Sequence, residues 1–243
     1  MLAEGDFVHQ KSASAAIQPT SSPDSTVAGT GPTPDVQSGY KAFHSVQPFD
    51  TVPWHFLDRL IAFYCELVVP RILDATVNEG RIWGRGKSHY KYTGMDVDPS
   101  VHPDLVADNT AMPFADESWD IVVYDPPHTG EQGKSQFAAV YGTGVATATN
   151  GGLAHTYPAF LNEARRVLRP EGLLLVKLAD CTHRNKFHIA TAEFYSAARE
   201  YGFELQGYHI LPRKNVIIDP KWKKARHPRQ NHCTWMAFRK RVK

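Results

Sequence analysis

Asp120-Ile121-Val122-Val123-Tyr124-Asp125-Pro126-Pro127-His128 is the stretch on which the reading of the fold turns. The apolar run from Ile121 reads as a strand closed by an acid. The two prolines behind it fix a rigid, non-helical exit, remove two backbone donors and leave carbonyls aimed outwards. Outward from here, other short apolar runs ending in Asp or Gly alternate with helical stretches, which is the pattern of parallel-sheet units. The expected strands are 71–75, 90–95, 105–107, 120–124, 173–178, 204–211 and 234–238. Phe56, Leu57, Leu60, Ile61, Tyr64 and Leu67 recur at helical spacing behind Pro53, so a helix is expected over 52–69. Two more are expected over 158–168, closed by Arg169-Pro170-Glu171-Gly172, and over 189–201, closed by Gly202. Seven strands, with helices between the earlier ones, predict an α/β fold: a Rossmann-like, open, doubly wound sheet with its ligands outside the carboxyl ends of the strands.

The remainder of the chain sets limits. Residues 1–44 are rich in Ser, Thr, Pro, Gly and Ala and are expected to be a disordered tail, leaving 45–243 as one catalytic domain. Residues 213–243 hold eleven Lys or Arg against the single acid Asp219, whereas the rest has 16 bases against 24 acids. A basic segment with Trp222 and Trp235 interleaved, on an acidic body, suits either a polyanion-contacting edge or a solvated tail. There is no run of about 20 apolar residues and no secretory leader, so no membrane span is expected and an intracellular, cytoplasmic location is. Cys65, Cys181 and Cys233 are odd in number and far apart, which argues against a disulfide framework. Cys181, His183 and His188, or His227, His232 and Cys233, match no common metal-ligand spacing, and no metal is expected.

Three acidic turns precede the Pro-Pro motif. The first strand leads into Asp74-Ala75-Thr76-Val77-Asn78-Glu79-Gly80, where small residues let backbone come close to a ligand. The second ends in Gly94-Met95-Asp96-Val97-Asp98, with an acid placed to accept both hydroxyl hydrogens of a ribose. The third ends in Ala107-Asp108-Asn109 before Met112-Pro113-Phe114, where a carboxylate can accept from an exocyclic amine beside apolar residues that flank a purine. In series, these turns resemble the first three motifs of the class I S-adenosylmethionine-dependent methyltransferases. Glu163-Ala164-Arg165-Arg166-Val167-Leu168-Arg169-Pro170-Glu171-Gly172 looks like that family's helix leading into strand five. The resemblance implies S-adenosylmethionine as cofactor. Asp74 and Gly80 would lie along its methionine part with Ala75, Thr76 and Asn78 between them, Asp96 and Val97 at the ribose, and Asp108 and Asn109 at the adenine amino group. Where the family most often has glycine, this chain has Asn78, the non-glycine residue best able to take a left-handed turn.

Asp125-Pro126-Pro127-His128 resembles the Asp-Pro-Pro-aromatic motif of amino methyltransferases acting on adenine N6 or cytosine N4, with His128 in the aromatic place. An exocyclic amine is a poor nucleophile because its lone pair is delocalised into the ring. Two acceptors, the Asp125 carboxylate and the Pro126 carbonyl, would draw it towards tetrahedral geometry, and His128 would stack on the base. Nucleic acid, DNA or RNA, is the implied partner, met through Lys221, Lys223, Lys224, Arg226 and Arg229. Glycines 142, 144, 151 and 152 fit a loop able to close over a substrate. Gly84-Arg85-Gly86-Lys87-Ser88 lacks the first glycine of a phosphate-binding loop, which excludes nucleotide hydrolysis. Two alternatives stay open: methylation of a small-molecule or protein amine, and a non-catalytic module that keeps the fold.

Overall fold

The computed structural model describes residues 43–84, 86–126, 156–183, 186–213 and 230–242. Nine strands are present among them: β1 (Arg71–Asp74), β2 (Lys91–Asp96), β3 (Leu105–Val106), β4 (Trp119–Tyr124), β5 (Leu168–Leu178), β6 (Cys181–His183), β7 (Lys186–His188), β8 (Phe203–Pro212) and β9 (His232–Lys240). The helices are α1 (Pro53–Tyr64), α2 (Tyr157–Val167) and α3 (Ala190–Glu200). Seven strands form one sheet in the order β3-β2-β1-β4-β5-β9-β8, and β6 and β7 pair as a separate hairpin. Strands β3, β2, β1, β4 and β5 are parallel to one another, while β9 runs antiparallel to both β5 and β8. All seven strands read from the sequence lie in this sheet. The β6–β7 hairpin was not foreseen.

The central strands are apolar throughout because both faces of the sheet are covered. In β4, Ile121 and Val123 face one side, where α1 packs through Phe56, Leu57, Leu60 and Ile61. Val122 and Tyr124 face the other, against Phe160, Leu161 and Ala164 of α2 and Phe194 and Ala198 of α3. The described chain begins at Phe43, whose ring stacks on Phe56 at 5.7 Å and on Phe63 at 5.1 Å.

Two expectations about helices are corrected. α1 stops at Tyr64 instead of Val69: Cys65 is extended, its N–H donating to Ile61 O. Beyond it stands Val68-Val69-Pro70, and a residue before proline is driven out of the helical region; Val68 is 93% exposed. Helices were also expected between the earlier strands, yet among the described residues no α-helix lies between β1 and β4. Only the 3-10 turns Gly86–His89 and Pro99–Val101 occur there. The cause after β1 is local: Asn78, Gly80 and Gly84 have φ of 47°, 66° and 51°, a hand that a right-handed helix excludes.

The amino-terminal rim of the sheet is pinned by Asp120. Its Oδ2 accepts from the Arg71 backbone N at 2.7 Å and from Arg71 Nε at 3.2 Å, its Oδ1 accepts from Arg71 Nη2 at 3.2 Å, and Arg169 Nε lies 3.1 Å from Oδ1.

Candidate active site

In an open α/β sheet the ligand crevice opens where the strand order reverses. Here that is between β1 and β4, whose carboxyl ends carry the Asp74 loop and Asp125.

The loop after β1 is built around a buried acid. Asp74 is fully buried; its Oδ2 accepts from Trp83 Nε1 at 2.6 Å and lies 3.5 Å from the Tyr92 hydroxyl, and its Oδ1 accepts from Thr76 N at 3.1 Å. Burial pushes its carboxyl up to about 7, against the partial relief given by Trp83 and Thr76. Asp74 therefore faces inward and shapes the loop. Ala75 is buried and donates its N–H to Val123 O of β4. Asn78, left-handed at φ 47°, donates its N–H to Asp96 Oδ2 at 2.9 Å, which draws the loop onto the end of β2. Its side-chain amide reaches Thr76 O at 3.1 Å and Asp125 O at 3.2 Å. Gly80 has φ of 66°, and a methyl group there would meet nothing within 4 Å, so conformation and not crowding calls for glycine.

Asp96 ends β2 almost buried, with one oxygen on Asn78 N and the other on Asp98 N at 3.0 Å. Val97 beside it is exposed. Asp108 stands exposed, its Oδ1 accepting from Thr110 N and Oγ1 at 2.8 and 2.7 Å, while Asn109 Nδ2 donates to Ala75 O at 3.3 Å. The segment that follows is anchored from α2, a support the sequence reading missed. Arg166 donates to Met112 O and Phe114 O at 2.8 and 2.6 Å, and Glu163 accepts from Met112 N at 2.7 Å.

At the end of β4, Asp125 N donates to Thr76 Oγ1 at 2.7 Å. Pro126 is buried; Pro127 and His128 lie outside the described residues, as do Lys221, Lys223, Lys224, Arg226, Arg229 and the glycines of 142–152. The structure thus gathers Asp74, Ala75, Thr76, Asn78, Asp96, Asn109 and Asp125 into one hydrogen-bonded assembly. It adds Lys177 of β5, whose Nζ donates to Asp125 Oδ2 at 2.6 Å. Burial alone would drive the Lys177 ammonium towards the neutral amine, but the adjacent Asp125 carboxylate outweighs it and holds Lys177 above the ordinary lysine value. A signal for Lys177 was on view: it is a lone charge in the run Leu173-Leu174-Leu175-Val176-Lys177-Leu178.

No family model matches this sequence, and no curated protein matches it. Solved structures do. A protein assigned as a methyltransferase, in complex with the Haloferax volcanii Trm112 methyltransferase activator, superposes with a TM-score of 0.51 at 13% identity, over 79% of this chain and 91% of its own. The fold is that of the class I methyltransferases. The [4+2]-cyclase SpnF matches equally, with a TM-score of 0.51 at 16% identity over 78% of this chain and 83% of its own. A SAM-dependent methyltransferase from Methanosarcina mazei gives 0.49 at 13%, over 76% and 98%. A methyltransferase-fold chain whose neighbours include a cyclase takes its function from its site and not from its sheet.

Proposed function

We propose that this chain transfers a methyl group from S-adenosylmethionine to an exocyclic amino group of a nucleic-acid base, adenine N6 in preference to cytosine N4, in DNA or RNA. The observation that carries the reading is the stitching of the Asp125-Pro126 turn to the loop after β1, through Thr76 Oγ1 and the Asn78 amide. A turn that binds the acceptor, fixed to a loop that binds the donor, is what in-line transfer needs.

The residues fit the cofactor. Asp96 gives one lone pair of each oxygen to a backbone N–H, and a carboxylate with about four acceptor sites keeps room for two ribose hydroxyls. The left-handed turns at Asn78 and Gly80, with open space at Gly80, suit the methionine part along the loop that starts at Ala75 and Thr76. Asp108 and Asn109, with Met112 following them in the chain, suit an adenine ring and its amino group. Asp74 serves this binding from inside, by holding Thr76 and Trp83. When bound, S-adenosylmethionine supplies a methyl group on a sulfonium. Asp125 and the Pro126 carbonyl accept the two amine hydrogens and aim the lone pair, Pro127 stiffens the exit, and His128 stacks on the base.

The test is transfer of labelled methyl from S-adenosylmethionine to DNA, RNA and free nucleosides, followed by mass spectrometry of the bases. N6-methyladenine or N4-methylcytosine supports the reading; cofactor binding with every nucleic acid unlabelled sinks it. By calorimetry Asp96→Ala should weaken cofactor binding. Replacing Lys221, Lys223 and Lys224 by Gln should lower nucleic-acid affinity and flatten its salt dependence.

A further inference from the structure

On the α1 face of the sheet, along its carboxyl rim, a row of ionisable groups crosses five strands: Asp74 of β1, Asp125 after β4, Lys177 of β5, Cys233 of β9 and Arg213 after β8. Each feels its neighbours. Asp125 raises the Asp74 value, and Asp125, Cys233 and Arg213 all act on Lys177. Cys233 is buried, with its thiol at 3.8 Å from Leu211 O, and burial pushes it up despite Lys177 and Arg213. The shortest link is the 2.6 Å contact from Lys177 Nζ to Asp125 Oδ2, with both side chains about 15% exposed or less. The acid read as the acceptor-binding group is therefore already charge-compensated by the protein.

That compensation decides what kind of amine the site can take. An uncompensated, half-desolvated carboxylate attracts an ammonium, and an alkylamine at neutral pH is an ammonium with no lone pair to offer. A base amino group is uncharged there and presents two N–H donors. We propose that Lys177 is a positioning and selectivity residue: paired with Asp125, it holds the carboxylate in place while cancelling its charge, so that the site accepts an uncharged aromatic amine and rejects an alkylammonium. This rests on the methyl-transfer reading above. In the transfer, the N–C bond forms as the S–C bond breaks, the sulfonium becomes a neutral thioether, and the amine nitrogen sheds one proton to water.

The decisive measurement uses two ligands that differ in charge at the transfer point. S-adenosylhomocysteine is neutral there; sinefungin, the analogue with an amine-bearing carbon in place of the methylsulfonium, carries an ammonium. Their Kd values are measured by calorimetry on the full chain and on Lys177→Gln and Lys177→Arg, with thermal unfolding checking that each variant folds. Lys177→Gln should raise the preference for sinefungin by about tenfold, as expected for a charge freed of its buried partner, and Lys177→Arg should leave it within about twofold. An unchanged preference in Lys177→Gln, with both ligands bound, overturns the proposal and leaves the methyltransferase reading standing. If the full chain binds neither ligand, both fall.

A second arm reads the acceptor. The full chain should methylate a single-stranded oligonucleotide and leave a lysine-containing peptide untouched. Lys177→Gln should cut kcat on the oligonucleotide by roughly a hundredfold with KM little changed. Lys177→Arg should restore most of the rate. Methylation of the peptide by the full chain, or a Lys177→Gln kcat equal to the parent's, counts against selection by charge.

Discussion

Strand β4 carries an aspartate at each end, and the two are held in different ways. Asp120, at the amino rim, is gripped by a guanidinium fork and by the backbone N of Arg71, with Arg169 beside it. Asp125, at the carboxyl rim, meets the point charge of Lys177 and has its backbone stitched to Thr76 and Asn78. A fork fixes both oxygens and ties two strands together; an ammonium is a point charge that holds the oxygen it meets without fixing the plane of the group. One arrangement is a rivet and the other is a held tool. The same residue type on the same strand thus divides into stability and chemistry according to the rim it occupies, in keeping with ligand binding at the carboxyl ends of α/β sheets.

The largest expected effect separates the two ends directly. Asp125→Ala should lower methyl transfer by about 1000-fold or more while leaving the affinity for the uncharged S-adenosylhomocysteine near the parent value, because it removes an acceptor aimed at the reacting amine. The comparison breaks if single-turnover rates of the variant match the parent.

Asp120→Asn should do the reverse: a loss of roughly 2 to 3 kcal/mol in urea unfolding, with kcat/KM of the folded protein unchanged. Arg71 draws the Asp120 carboxyl below the ordinary carboxylate value against the opposing effect of burial, so its contribution to stability is present above 3.8 and is lost as pH falls below it. The variant should lack that acid-induced loss.

Asp74 has the opposite sign. Its folded value of about 7 lies above the ordinary 3.8, so the folded state holds the proton more tightly. Stability should decline as pH rises from about 4 to about 7, by up to about 1.4 kcal/mol per pH unit, and level off above. Asp74→Asn should flatten urea midpoints over that range; a parent midpoint independent of pH between 4 and 7 would contradict the assignment.

The smallest effect concerns the stitch. Asn78→Gly keeps the left-handed turn and loses two side-chain hydrogen bonds, a cost of about 1 kcal/mol, whereas Asn78→Ala adds about 1 to 2 kcal/mol for the left-handed backbone. Equal melting temperatures for the two variants would mean that the turn is not left-handed in solution.

Strand positions were legible in the sequence because each central strand is buried on both faces and reads as an unbroken apolar run. The turn at Asn78 was legible too, since Asn tolerates positive φ. The end of α1 was misjudged because Leu67 and Val68 continue the helical spacing while Pro70 forbids the helix. The inward set of Asp74 depends on Trp83 and Tyr92, nine and eighteen residues away, and no local pattern reports such a contact. Lys177 announced itself by its apolar neighbours, but its partner on β4 became visible only through the β4–β5 register.

The place of β9 between β5 and β8 has a consequence for biosynthesis. Strands β1 to β5 all precede it, and they can align as a five-stranded sheet while β9 is still to be made. Until then β5 is an open edge, presenting unpaired backbone along Leu173-Leu174-Leu175-Val176, a run with no charge to discourage pairing with another nascent chain. In β5 the charges that flank this run are Arg169 and Glu171 on one side and Lys177 on the other, placed where gatekeepers against such pairing stand.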